Sequence, residues 1–174
     1  MEKRIFIATT ISCITLAAFV FSRVHVARYA PAYEEHTVVR VIDGDTFVVL
    51  ENNVQEKVRM LGIDTPETVD PRKPVQCFGP EASAELKKNL APGTHVRLEI
   101  DSLNEDRDKY HRLLRYVYTD DGALINAVMI RDGFAFAYTK FPFQKRVEFL
   151  MLQNQAHVAL RGLWSPATCN GIHK

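Results

Sequence analysis

The sequence has almost no charge imbalance: 22 Lys and Arg stand against 21 Asp and Glu, a formal net charge of +1. Four of the basic residues and one acid lie before residue 33, which leaves eighteen basic against twenty acidic groups in the rest of the chain. A polybasic surface that attracts phosphate backbones through its overall field is thereby excluded, so any phosphate chemistry has to run through a local site and a bound cation. Cysteine is scarce as well, at three of 174 residues, which rules out a disulfide-dense scaffold. There are no internal repeats, so no solenoid or propeller.

What is present begins with one long uncharged run. The block Glu2, Lys3, Arg4 is followed by eighteen uncharged residues, 5–22, before Arg23. Crossing a bilayer as a helix takes about 20 apolar residues. The run therefore fits a signal anchor or the core of a signal peptide. Phe21 and the nearby Arg23 and Arg28 disfavour a cleavage site at Val20-Phe21-Ser22, which favours retention as an anchor with the following domain outside the cytoplasm; a secreted or periplasmic product of cleavage is the alternative. Cys13 continues the apolar run and is assigned to it. Cys77 and Cys169 remain as an even pair, which an exported domain could join as a disulfide or keep as two buried thiols.

Residues 23–35 have no sustained period and read as a linker, and the globular part spans 36–165 with a tail at 166–174. Short β-branched runs at 37–42, 46–50 and 55–61 are separated by Asp43-Gly44-Asp45 and Glu51-Asn52-Asn53, the turn chemistry of a three-stranded meander. Three prolines mark 65–77 as a loop. Gly79-Pro80-Glu81 opens a helix to about residue 90, with Lys87 and Lys88 near its end and Pro92-Gly93 stopping it. Strands at 96–100 and 113–118 flank a charged stretch, 101–112, too polar to pack. Helical spacing at 123–132, ending at Gly133, and at 145–161, ending at Gly162, completes the pattern, with Val147, Leu150, Met151 and Val158 expected to be the buried side of the last helix. The expectation is an α+β fold: a five-stranded OB-type β-barrel with three helices, preceded by one N-terminal hydrophobic helix.

Chemistry concentrates in two acidic turns, Asp43-Gly44-Asp45-Thr46 and Asp64-Thr65-Pro66-Glu67, and one basic loop, Asp108-Lys109-Tyr110-His111-Arg112. Hard cations need several oxygen ligands brought together, and a phosphate needs cationic side chains beside them. Taken singly, each segment is an ordinary turn or loop. In order, together with Val58-Arg59-Met60-Leu61-Gly62-Ile63, Gly79-Pro80-Glu81-Ala82-Ser83 and Gly162-Leu163-Trp164-Ser165, they resemble the staphylococcal nuclease (thermonuclease) family over about residues 36–165.

The resemblance implies an OB barrel with three helices and a calcium-dependent enzyme that hydrolyses phosphodiester bonds of DNA and RNA, leaving 3′-phosphate ends. Position by position, it implies Asp45, Asp64 and the Thr65 carbonyl as calcium ligands, Asp43 as a neighbour of the ion, and Glu67 as the carboxylate that positions or deprotonates the attacking water. Arg59 and Arg112 would grip the scissile phosphate, whose equatorial oxygens gain charge that planar guanidinium groups bind bidentately. Lys109, Tyr110 and Tyr138 would contact the terminal phosphate and the base or sugar. Two departures stand out: His111 occupies the family's glycine position, and Thr139-Lys140-Phe141-Pro142-Phe143 is shorter and more apolar than the family's loop, with Phe141 and Phe143 read as core or lid. Two other readings compete. One is a catalytically silent OB module that binds nucleic acid or protein; the other is a membrane-tethered interaction domain, which accounts for the apolar run but not for five matched positions. Neither reading needs Asp45, Asp64, Glu67, Arg59 and Arg112 at once.

Overall fold

Alternating Val, Phe and Thr residues set the first half of the structure, a computed structural model that describes residues 35–72 and 74–172. Strands β1 (Glu35–Asp43), β2 (Thr46–Glu51) and β3 (Val54–Met60) form the antiparallel meander. Asp43-Gly44-Asp45 and Asn52-Asn53 turn the chain, the two asparagines at positive φ. A two-residue strand β4 (Ile63–Asp64) and helix α1 (Gly79–Asn89) follow. Strands β5 (His95–Glu99) and β6 (Leu113–Thr119), helix α2 (Ile125–Arg131), a two-residue strand β7 (Phe136–Ala137), helix α3 (Arg146–Val158) and a 3-10 turn at Gly162–Trp164 complete the order.

The five long strands close a barrel in the order β1-β2-β3-β6-β5, in which β3 and β6 run parallel and every other neighbour is antiparallel. This is the expected five-stranded barrel with three helices. The parallel seam is stitched by a buried amide: Asn126 Nδ2 donates to the carbonyls of Leu61 and Arg115 at 2.9 and 3.3 Å, and its Oδ1 accepts the Val117 N–H at 2.9 Å. Phe47, Val58, Met60, Val96, Tyr116 and Val117 fill the barrel, and Leu86, Met129 and Phe149 bring the helices onto it. The small sheet β4–β7, which sequence patterning does not foresee, ties the start of the second acidic turn to the chain entering α3.

Two sequence expectations are corrected. Val147, Leu150, Met151 and Val158 are exposed; α3 instead buries Phe149 and Ala156, with Leu152 packed against the core. Positions 149, 152 and 156 make an equally good helical stripe, and Phe149 wins because its ring meets both Tyr116 and Phe143, at centroid distances of 6.1 and 5.5 Å. The charged stretch 101–112 is a loop, but its first residue is not solvated: Asp101 is 1% exposed and accepts hydrogen bonds from the Tyr116 hydroxyl and the Leu103 and Gln144 N–H groups. Cys77 and Cys169 are joined by a disulfide across 92 positions. The apolar run at 1–22 and all but the last residue of the linker at 23–35 lie outside the described residues, among which no helix is long and apolar enough to cross a membrane.

Candidate active site

The turn between β1 and β2 brings Asp43 and Asp45 to one end of the barrel, and β4 brings Asp64 and Thr65 to the same place. Close approach is possible because residue 44 is glycine: a Cβ there would stand 2.7 Å from Thr65 Oγ1. Asp45 is buried and its two oxygens are engaged differently. Oδ1 accepts the Thr46 hydroxyl at 2.8 Å, whereas Oδ2 accepts the Thr65 N–H at 3.2 Å and pairs with Arg59 Nη2 at 3.0 Å. The same Nη2 reaches Asp64 Oδ1 at 3.1 Å. Arg59 Nη1 is fixed by the carbonyls of Met60 and Ile63, both at 2.9 Å. Strand β3 thus drives one guanidinium between the two carboxylates that the sequence singled out.

Arg112 arrives from the charged loop. Its Nε and Nη2 both meet Asp108 Oδ2 at 2.7 Å, and Nη1 lies 3.4 Å from Thr46 Oγ1, next to Asp45. Burial tends to raise the Asp108 carboxyl, but the hydrogen bonds from Arg112 and from the Tyr110 N–H hold it below the usual range. Asp108 is therefore the residue that orients Arg112, a role sequence reasoning did not assign. The loop itself is pinned to the barrel by Arg107 on Glu56 at 2.7 Å and by Asp106 on Arg115.

A cleft of about 720 Å³ opens over this pair of arginines. Arg59, Asp64, Lys109, Tyr110, Arg112 and Tyr138 all line it, so six of the sequence-selected residues face one space. Lys109 Nζ and the Arg112 guanidinium lie 5.0 and 5.4 Å from the centre of the Tyr110 ring, which is 64% exposed. On the far wall Tyr138 pairs with Phe141 at 6.0 Å, and Phe141 is exposed, whereas Phe143 is core. His111 is exposed and does not line the cleft.

Asp45, Thr65 and Glu67 are not on the cleft wall. Asp45 and Thr65 are buried and joined to it through Arg59. Glu67 belongs to the acidic side through its interaction with the Asp43 carboxyl, and Asp43 in turn accepts the Thr68 hydroxyl at 2.6 Å. Burial raises the Asp43 carboxyl above the ordinary value, while Glu67 ends below it: burial pushes Glu67 up, but the N–H of Val69, the Asp43 side chain and the N–H groups of Asp70 and Thr68 outweigh that. Asp43 therefore holds a proton more tightly than an ordinary aspartate, and Glu67 gives one up more readily than an ordinary glutamate.

A cation site can be tested on the residues themselves. Two carboxylates already converge on one positive group, and Thr65 Oγ1 beside them is buried with no hydrogen-bond partner. The donors are all oxygen, as a hard cation requires. Among the described residues no group of three or more His, Cys, Asp or Glu side chains is arranged to hold a metal, so backbone carbonyl and water would have to complete a shell around Asp45 and Asp64.

The family model described as "Staphylococcal nuclease homologue" matches residues 57–166. The chain belongs to the staphylococcal nuclease family. Among the relatives of this family, the chain is 38% identical over 135 residues to the thermonuclease of Staphylococcus hyicus, covering 76% of each chain. It is 40% identical over 132 residues to the thermonuclease of Staphylococcus intermedius, covering 75% of this chain and 76% of that one. It is 38% identical over 131 residues to the endonuclease YncB of Bacillus subtilis, covering 74% of this chain and 61% of the relative. The family-model match runs from the middle of β3 to just past the 3-10 turn and so takes in Arg59, Asp64, Glu67 and Arg112.

Proposed function

We propose that this staphylococcal nuclease relative is a calcium-dependent nuclease that hydrolyses phosphodiester bonds of DNA, RNA or both outside the cytoplasm. The observation that carries the reading is the convergence of Asp45 and Asp64 on Arg59, with Arg59, Asp64 and Arg112 lining one cleft. Two guanidinium groups close to a carboxylate pair suit a phosphodiester approaching a five-coordinate state, because they offer paired N–H donors to oxygens that gain charge. Lysine, a point charge, would replace either poorly.

Asp45, Asp64 and the Thr65 carbonyl would hold the calcium. When bound, it supplies charge that offsets that of the phosphate and makes nearby water easier to deprotonate. The remaining work falls to side chains. Arg112, oriented by Asp108, and Arg59 would offer their N–H groups to the phosphate oxygens. Glu67, a carboxylate at neutral pH, would accept a proton from the attacking water. Tyr110, Tyr138 and Lys109 then contact the sugar, base or terminal phosphate along the cleft. An exported location agrees with the Cys77–Cys169 bond, which persists in oxidising compartments; residues 1–22 would act as a signal anchor.

The test is cleavage of single-stranded DNA, duplex DNA and RNA by the full chain in calcium and in chelator, beside Glu67→Gln and Arg112→Ala. Calcium-dependent cleavage that drops by about 100-fold or more in both variants is the expected result. Intact substrate after incubation with folded, calcium-supplied wild type would overturn the enzyme and leave a nucleic-acid-binding barrel in its place.

A further inference from the structure

Glu67 stands near the start of the stretch between β4 and α1, whose described residues, 65–72 and 74–78, belong to no strand or helix. Its carboxylate takes direction from that stretch, since Oε1 accepts the N–H groups of Thr68, Val69 and Asp70 at 3.0, 2.8 and 3.1 Å. Where those amides point depends in turn on what holds the backbone. The Glu67 N–H donates to Gln76 Oε1 at 2.7 Å, and the Gln76 N–H donates to the Glu67 carbonyl at 2.9 Å. These reciprocal bonds close the loop on itself, and the next residue, Cys77, is bonded to Cys169.

The far side of that bond is firm. Cys169 is 6% exposed, Asn170 donates its N–H to the Ser165 carbonyl, and Gly171 donates to the Leu163 carbonyl. Helix α1 presses on the loop from below residue 79, where a Cβ would come within 2.6 Å of Thr68 Cγ2 and 3.2 Å of the Glu67 carbonyl oxygen. Phe78 takes a left-handed φ of +66° and stacks on Phe134 at 5.5 Å, so the chain on that side of Cys77 is also fixed.

We infer that Gln76 is a positioning residue for Glu67, clamping the loop that aims its carboxylate, and that the Cys77–Cys169 bond anchors the clamp. The inference rests on Glu67 serving the attacking water as proposed above. A side-chain amide suits this role because its oxygen meets a backbone N–H that lies outside any ladder, and without it that N–H has no protein acceptor among the described residues. Because Cys77 is exposed, a dithiol can reach the bond and reduce it to two thiols, itself becoming a cyclic disulfide. Reduction then frees the loop at Cys77 while leaving the carboxylates of the barrel strands in place.

The experiment compares the full chain with Gln76→Leu, which keeps the size but lacks the acceptor, with Gln76→Glu, which keeps an acceptor oxygen, and with the double variant Cys77→Ser, Cys169→Ser. Amide hydrogen exchange at residues 67–70 is read alongside kcat and KM for calcium-dependent cleavage. Fluorescence of Trp164, the single tryptophan, confirms folding. Gln76→Leu is expected to speed exchange at these amides by about tenfold, the worth of one hydrogen bond, and to lower kcat by about tenfold or more with KM nearly unchanged. Gln76→Glu restores most of kcat. Dithiothreitol moves the wild type in the same direction, reversibly, and leaves the double serine variant unmoved. Unchanged exchange in Gln76→Leu overturns the clamp, whatever the rates. Faster exchange with unchanged kcat overturns the positioning role. A wild type that cuts nothing, with exchange still faster in Gln76→Leu, upholds the clamp and sinks only the nuclease reading.

Discussion

At His111 the backbone runs at a φ of +62°, a conformation that costs a residue with a side chain about 1–2 kcal/mol and costs glycine almost nothing. The loop needs that turn, because the His111 N–H donates to the Asp108 carbonyl at 2.9 Å and the chain must come straight back to set Arg112 on Asp108. His111→Gly is therefore expected to stabilise the protein, by less than about 1 kcal/mol once glycine's greater freedom in the unfolded chain is set against the relief. Thermal melts check it, and because the side chain does not line the cleft, activity should stay within about twofold. Asp101 illustrates the opposite case of a polar group that is fully used. Burial raises its carboxyl, yet the Tyr116 hydroxyl, the N–H groups of Gln144 and Leu103 and the Asn104 side chain bring it below the ordinary 3.8. A carboxyl with a lowered folded value contributes stability that is present above 3.8 and is lost as the pH falls through the folded value. Asp101→Asn should accordingly cost about 1–3 kcal/mol at neutral pH and flatten the fall of the melting temperature below about pH 4. A parallel fall in mutant and wild type would place the acid sensitivity elsewhere.

Helix α3 carries two apolar stripes, and only one is used. Phe149 is completely buried against Tyr116 and Phe143, while Val147 and Val158 are more than 70% exposed. Phe149→Ala is expected to cost about 3–5 kcal/mol, and Val147→Ala to stay within about 0.5 kcal/mol, as read by urea unfolding. Sequence periodicity alone could not choose between the stripes, since both repeat at helical spacing; the choice depends on which neighbour's ring is waiting, and that is tertiary information. The long strands were legible because their turns carry Asp-Gly-Asp and Asn-Asn chemistry between β-branched runs. Strands β4 and β7 were not, because two residues hold no pattern. The same division runs through the site. Asp45, Asp64, Arg59 and Arg112 became candidates through the family resemblance that their motifs carry in order, whereas the contacts of Asp108 and Gln76 depend on where loops fold back, and no spacing announces that a glutamine nine positions away will accept the Glu67 N–H.

On the scale of the molecule, the barrel is closed by pairings between distant parts of the chain, β1 with β5 and β3 with β6. The disulfide adds a second closure of 92 positions. Cross-linking so long a loop restricts the unfolded chain, and its reduction is expected to lower the unfolding free energy by about 2–5 kcal/mol, measured by denaturant titration with and without a reductant. The larger consequence of that bond concerns cutting of the protein itself. The exposed loop at 103–111 lies between Cys77 and Cys169, so a protease that severs it produces two polypeptides which still share one covalent skeleton. On a denaturing gel the nicked molecule should run as a single species without reductant and as two with it. In a compartment rich in proteases, a first cut would leave the molecule in one piece, with the pieces of the barrel still held close enough to remain folded around the cleft.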